Sequence, residues 1–303
     1  MTRASARAFR TLTGIAALAL TVPLVACSSE GESTEERPAV GAEAASETGA
    51  TSAGSGTATD SLPDAVLGTA PPPAGKDVRY FEGDSAAKGY LATPDGEGPY
   101  PAVILIHEWN GLVDRVRQVA DAMSDQGYVA LAADLYSGRT GSSREENMAL
   151  VREVRDKPDY VIANLDAAQR WLRDRDDVAG GVATMGWCFG GGVALSYALG
   201  GAEHEGTAIF YGSLVTDPDS LAAIDHPIYG TFAENDQGIP PERVERFVDA
   251  LREAGVENDV HVYDAVGHGF WLWVDEDPEA RREPASDAWR RLKAYLERTI
   301  GGA

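Results

Sequence analysis

Gly186-Trp187-Cys188-Phe189-Gly190 sets a single sulfur between two apolar runs, Val182 to Met185 before it and Val193 to Leu199 after it. The first run reads as a strand and the second as a helix. Cys188 then sits on a sharp strand-to-helix turn, the arrangement of a nucleophile elbow with Cys in place of Ser. The apex of such a turn needs a strained backbone, and small flanking residues keep it free of clashes. A helix N-terminus also favours a thiolate and a developing oxyanion. The chemistry on offer is attack of sulfur on an acyl carbon. Glycine-rich turns are common and a small cysteine often only packs, so the assignment depends on partners elsewhere in the chain.

A sulfur nucleophile needs a base within hydrogen-bond reach, and the base needs an acceptor that orients it. Two loops downstream supply both. The run Pro227 to Phe232 opens into Ala233-Glu234-Asn235-Asp236-Gln237-Gly238-Ile239-Pro240, and the run Val260 to Tyr263 leads to Gly267-His268-Gly269-Phe270. The order nucleophile, acid, histidine is that of an elbow-bearing hydrolase. A lone loop histidine is usually surface, and a lone Asp after a strand is usually a turn or cap. Their joint occurrence, each after its own strand, selects Cys188, Asp236 and His268. Other histidines compete poorly. His204 and His226 lie in polar loop contexts, His261 lies within a strand run, and His107 precedes Glu108 at a strand end, where it would close a site wall. No pair has metal-ligand spacing, and there is no dinucleotide fingerprint or phosphate loop. Neither a metal nor a cofactor is expected.

The elements that must position these residues alternate along the chain. Val78 to Phe81 and Lys88 to Thr93 read as an opening hairpin. Ala102 to Ile106 is a continuous apolar run, as in a strand buried on both faces. Val113 to Asp125 has helical spacing, and Tyr128 to Ala132 is a further strand. Residues 142–157 and 159–174 read as helices broken at Pro158. Strands at Val182 to Met185, Gly206 to Tyr211, Pro227 to Phe232 and Val260 to Tyr263 alternate with helices near 191–200, 241–254 and 284–299. This predicts the α/β class, with a mostly parallel central sheet, helices on both faces, and the site on loops after strand C-termini. With the elbow, the reading is an α/β-hydrolase fold. Nothing after residue 211 is long enough for a large cap domain.

From about residue 77 to 300 the chain resembles the dienelactone hydrolase family. The matching pieces are Ile106-His107-Glu108-Trp109-Asn110-Gly111, Ala133-Asp134-Leu135-Tyr136, Gly186-Trp187-Cys188-Phe189-Gly190-Gly191, Asp236 with Pro240, and Gly267-His268-Gly269-Phe270. The resemblance implies a Cys188-His268-Asp236 triad and a thioester intermediate in ester or lactone hydrolysis. It implies that Glu108 interacts with the thiol, and that the backbone N–H groups of Phe189 and Trp109 form the oxyanion hole. Family members acting on carboxylated lactones hold the carboxylate with arginines, one of them shortly after the histidine. Here Gly269-Phe270-Trp271-Leu272-Trp273-Val274 follows His268 without one, and Arg139 and Arg144 are the arginines available after Tyr136. The expected pocket is Trp187, Phe270, Trp271, Arg139 and Arg144. An aromatic wall of Trp109, Phe270, Trp271 and Trp273 points to an apolar acyl or lactone group. Other readings are a thioesterase or general carboxylesterase on the same triad, or a non-catalytic envelope lipoprotein that binds ligand.

The front of the chain has a different character. Arg3, Arg7 and Arg10 precede an apolar stretch from Leu12 to Val25, too short for a comfortable membrane span. Leu24-Val25-Ala26-Cys27 resembles a lipobox, which implies a signal peptide over 1–27, lipidation of Cys27 and an extracytoplasmic protein anchored to a bacterial membrane. Residues 28–75, rich in Ala, Gly, Ser, Thr, Glu and Pro, read as a disordered acidic tether, and 76–303 as the folded domain. Forty-eight acidic against 26 basic residues give a net charge of −22, which argues against nucleic acid as a partner. Only Cys27 and Cys188 are present. With Cys27 lipidated, Cys188 is a lone thiol outside any intramolecular disulfide. The expected partners are a small ester or lactone and, through the anchor, a membrane, for a chain acting as a monomer.

Overall fold

The computed structural model describes residues 61–301. The signal peptide, Cys27 and most of the expected tether lie outside the described residues.

Eight strands form one sheet in the order β1-β2-β4-β3-β5-β6-β7-β8. β1 (Lys76–Val78) pairs antiparallel with β2 (Gly89–Ala92), and β2 pairs antiparallel with β4 (Val129–Ala133). The remaining pairings, through β3 (Tyr100–Ile106), β5 (Val178–Trp187), β6 (Gly206–Phe210), β7 (Ile228–Ala233) and β8 (Asn258–Tyr263), are all parallel. The opening hairpin forms with its first strand earlier than the pattern suggests. Tyr80 is instead buried, and its hydroxyl donates to Asn164 Oδ1 at 2.6 Å.

The period-2 alternation of strand side chains divides the core between two faces. On one face Val103 and Leu105 of β3, Ala130 and Ala132 of β4, and Ala183, Met185 and Trp187 of β5 pack with α2 (Asp114–Asp125) and α8 (Pro278–Ile300). On the other, Ala102, Ile104 and Ile106 meet α4 (Pro158–Arg173) and α5 (Phe189–Gly200), with α3 (Arg144–Arg155) beside them. α7 (Pro241–Glu253) packs on β8 and β7, over a third cluster that includes Phe232 and Ile209. Pro158 starts α4 at its first turn, where the missing N–H costs nothing. The segment between β6 and β7 carries only the one-turn α6 (Pro218–Leu221), so no cap domain is inserted there.

One boundary is corrected. Residues 61–75 were expected in the tether, yet they are part of the folded body. α1 (Asp64–Leu67) places Ala65 and Val66 in the main core, and Leu62 joins them. Three well-spaced apolar side chains were masked by the Pro, Ala and Gly around them. Each large aliphatic side chain buried this fully contributes roughly 1.5–3 kcal/mol. A chain beginning at Lys76 should therefore melt roughly 5–10 °C below one beginning at Ser61, as read by calorimetry.

Candidate active site

Cys188 follows β5 directly and caps α5, with φ 53° and ψ −113°. A non-glycine residue there is strained by roughly 1–3 kcal/mol. The strain is held from both sides: Cys188 N–H donates to Phe210 O at 2.9 Å, and Gly192 N–H donates to Cys188 O at 3.2 Å. The two flanking glycines are steric requirements. A Cβ on Gly186 would lie 2.3 Å from Gly190 O, and one on Gly190 would lie 2.2 Å from Ile106 O. Only bare backbone lets α5 start this close to the ends of β3 and β5.

Because β3, β5, β7 and β8 are parallel, their C-termini share one edge of the sheet, and the loops that follow converge. Asp236 comes from the loop after β7 and His268 from the loop after β8. His268 Nδ1 donates to Asp236 Oδ2 at 2.6 Å. The other Asp236 oxygen accepts the N–H groups of Gly238 (2.9 Å) and Ile239 (3.2 Å). The carboxylate is thus buried with all its strong partners in place. Burial raises its pKa, but the His268 bond and charge and these two N–H groups outweigh burial and hold it below the usual range.

His268 keeps 42% of its side chain exposed, as a group that must meet substrate would. Its ring lies 4.9 Å from the ring of Tyr211, and the Cys188 sulfur is near enough to act on its charge. With Nδ1 committed to Asp236, Nε2 is the nitrogen left for the sulfur. Burial opposes the charged ring, but the Asp236 hydrogen bond, the Cys188 sulfur and the charges of both push its pKa up to about 11.

Glu108 lies in the turn after β3 and is 5% exposed. Its Oε2 accepts the indole N–H of Trp273 at 2.8 Å. Burial pushes its pKa up, partly offset by the Trp273 bond and by His268. The turn is held by His107, fully buried, whose Nδ1 donates to Glu108 O at 2.6 Å while Nε2 accepts Leu135 N–H at 3.3 Å. His107 stacks on Phe189 and meets Tyr136 edge-on, so it locks the strand end to the elbow. Tyr136 donates to Trp109 O at 3.1 Å, fixing the next residue of that turn. The Phe189 N–H is one of the first donors of α5, which have no acceptor within their own helix.

Three expected pocket residues are corrected. Trp187, Phe270 and Trp271 are fully buried in the main core. Trp187 stacks on Trp271 at 5.9 Å, and Phe270 packs against Tyr211 and Tyr263. Strand alternation turns Trp187 under the sheet, and the helical turn after His268 turns Phe270 and Trp271 inward. Trp109, Phe189 and Trp273 remain half-buried. Arg139 donates to Tyr136 O at 2.9 Å and pairs with Glu153 at 2.9 Å, and Arg144 is exposed on the first turn of α3.

The polar contexts around His204 and His226 conceal burial. Both rings are buried, and both place Nε2 2.9 Å from Thr207 Oγ1, at the N-terminal side of β6 and so at the opposite sheet edge from the elbow. Residues whose support the sequence did not reveal are Tyr211, whose hydroxyl accepts Leu272 N–H at 3.3 Å, and Trp273. The signal available for Tyr211 was its place at a strand C-terminus.

The fold and this grouping define an α/β-hydrolase. The chain belongs to the dienelactone hydrolase family, which matches residues 87–300. It is 32% identical over 227 residues to a Methylorubrum extorquens protein named "Putative carboxymethylenebutenolidase", covering 70% of this chain and 77% of that one. A Yersinia pestis protein of the same name is 30% identical over 218 residues, covering 67% and 80%. Among solved structures, a Klebsiella pneumoniae protein named "Putative Dienelactone Hydrolase" superposes with a TM-score of 0.64 at 25% identity, over 74% of this chain and 98% of that one. The protein is a dienelactone hydrolase-like hydrolase.

The Asp236–His268 pair carries a pH signature. A raised histidine stabilises the fold fully below its ordinary value of about 6.5 and loses that contribution as pH rises through about 11. The depressed Asp236 contributes above its ordinary value of about 3.9 and loses it as pH falls. The Tm deficit of Asp236→Asn should therefore be largest near about pH 6 and shrink steadily towards about pH 10.

Proposed function

We propose that the protein hydrolyses esters or lactones through a Cys188-His268-Asp236 triad and a thioester intermediate. The observation that carries this reading is His268, bonded through Nδ1 to a buried, fully satisfied carboxylate, which leaves Nε2 for the nearby elbow sulfur. The Cys188 thiolate attacks the acyl carbon, and the carbonyl oxygen becomes an oxyanion at the N–H groups of Phe189 and Trp109. Each such donor supplies about 3 kcal/mol in general precedent. Collapse breaks the acyl–oxygen bond, and the His268 imidazolium protonates the departing alkoxide. The neutral imidazole then takes a proton from water, whose hydroxide attacks the thioester. Expulsion of the thiolate restores the thiolate–imidazolium pair and releases the acid. Asp236 holds the tautomer and the orientation throughout. Glu108 is the thiol's second partner and takes its proton when the pair is not yet formed.

The substrate is a neutral ester or lactone. Arg139 is paired with Glu153, and Arg115 with Asp275, so neither presents a free guanidinium to a substrate carboxylate. Trp109, Phe189 and Trp273 remain as the half-buried apolar surface. The support for an anchored, extracytoplasmic protein is the basic leader followed by Leu24-Val25-Ala26-Cys27.

Short-chain p-nitrophenyl esters and simple lactones should be hydrolysed by the chain from Ser61, with Cys188→Ala losing at least about 10³-fold in kcat. Equal rates in the two proteins would remove Cys188 as nucleophile. In the full-length chain expressed in a bacterial host, Cys27→Ser should abolish incorporation of labelled fatty acid and shift the protein from the membrane to the soluble fraction. Unchanged labelling would remove the anchor.

A further inference from the structure

The segment corrected above lies outside the family match, which begins at residue 87, and it does more than fill the core. α1 is a single turn, so few N–H donors within it reach its carbonyls. Arg115 Nη1, from the first turn of α2, donates to Ala65 O. Arg115 Nη2 pairs with Asp275 Oδ2 at 2.7 Å, and Gly68 at the end of α1 sits against that same Asp275 side chain with φ 72°. The guanidinium lies over the Trp273 ring, 4.6 Å from its centroid. The Trp273 indole in turn spends its single N–H on Glu108 Oε2. From the other side Arg281 Nη1 donates to Trp273 O at 2.6 Å and pairs with Glu276 at 2.8 Å. A continuous run of contacts thus joins the N-terminal segment to the carboxylate beside the elbow.

Such a stack has a definite physical effect. An indole that donates one hydrogen bond can still rotate about that bond unless its face is clamped. A planar guanidinium clamps a face well, and it does so here because two other partners fix its own plane. The pairing with Asp275 largely cancels the charge of Arg115, so what it delivers to Glu108 is orientation more than field. The charged and titratable groups facing Glu108 are His268, Tyr211, Glu276 with its partner Arg281, and Arg115.

We propose that Arg115 is a positioning residue for Glu108, acting through Trp273, and that the α1 segment is the brace that sets Arg115. This rests on the reading that Glu108 works with Cys188. It makes the N-terminal segment part of the site rather than only the start of a domain.

The test uses the full chain with a neutral p-nitrophenyl ester, reading kcat, KM and the acid limb of the kcat/KM–pH profile, with the pH dependence of Cys188 alkylation by iodoacetamide beside it. Trp273→Phe keeps the ring and removes the hydrogen bond to a carboxylate, and it should move the acid limb up by about one pH unit. Arg115→Ala should move it the same way by a smaller amount and lower kcat roughly 3–10-fold with KM little changed. Arg115→Lys, which keeps a cation over the ring, should recover part of the shift. Adding Arg115→Ala to Trp273→Phe should add no further shift. Val66→Ala, which loosens α1 in the core, should give a fraction of the Arg115→Ala shift. Arg117→Ala is the control: its guanidinium lies over Tyr90 and pairs with Asp77, and the profile should not move. An Arg115→Ala profile that superimposes on the parent while Tm falls would reduce Arg115 to a structural role and overturn the proposal. So would shifts from Arg115 and Trp273 that add in the double variant. Glu108→Gln with parental rates and profile would instead overturn the role of Glu108, and this inference with it.

Discussion

The site depends on one close approach. The first turn of α5 starts against the carbonyls that end β3, near enough that a single methyl group on Gly190 could not be accommodated. That contact forces the backbone at Cys188 into positive φ and lifts the sulfur above the sheet edge. It also aims the first N–H groups of the helix at the space in front of the sulfur. The strain is sustained because the parallel strands on either side are buried on both faces and cannot yield. His107 and Phe189, stacked between strand end and helix, keep the two in register.

Electrostatics follow from what the same edge collects. Two buried carboxylates, Asp236 and Glu108, lie on the ends of different strands with one exposed imidazole among them. Their environments push them apart. Asp236 is surrounded by donors and stays ionised, whereas Glu108 has one indole N–H and burial raises it. Groups of one type with opposed shifts in one site are the pattern by which a fold separates an orienting charge from a proton acceptor. The first of these and the sulfur raise the pKa of the imidazole.

Legibility varied with the kind of information each feature needs. The strands and most helices were readable because each carries its period locally. The boundaries of β1 and the existence of α1 were not, since a three-residue strand and a one-turn helix have too few residues to show a period. The strained turn at Cys188 and the pairing of Asp236 with His268 were readable because backbone strain and strand order impose fixed residue types and a fixed sequence order. Trp187, Phe270 and Trp271 were misplaced for the complementary reason. A tryptophan beside a nucleophile in sequence can face the substrate or the core, and one step along a strand or a third of a helical turn decides which. Arg139 looked available, but Glu153 on α3, fourteen positions away, already held it.

The sequence by itself determined the α/β alternation, the elbow turn at Cys188 and the order of Asp236 and His268 after it, since each follows from local pattern and from chirality rules that leave few topologies. Only the tertiary structure decided what surrounds them. It placed α1 in the core, turned three aromatic side chains away from the site, and joined Glu108 to Trp273 and Arg115 across more than 150 residues of chain. Those contacts depend on the distances at which separate elements pack, and packing distance is written in no local stretch of residues.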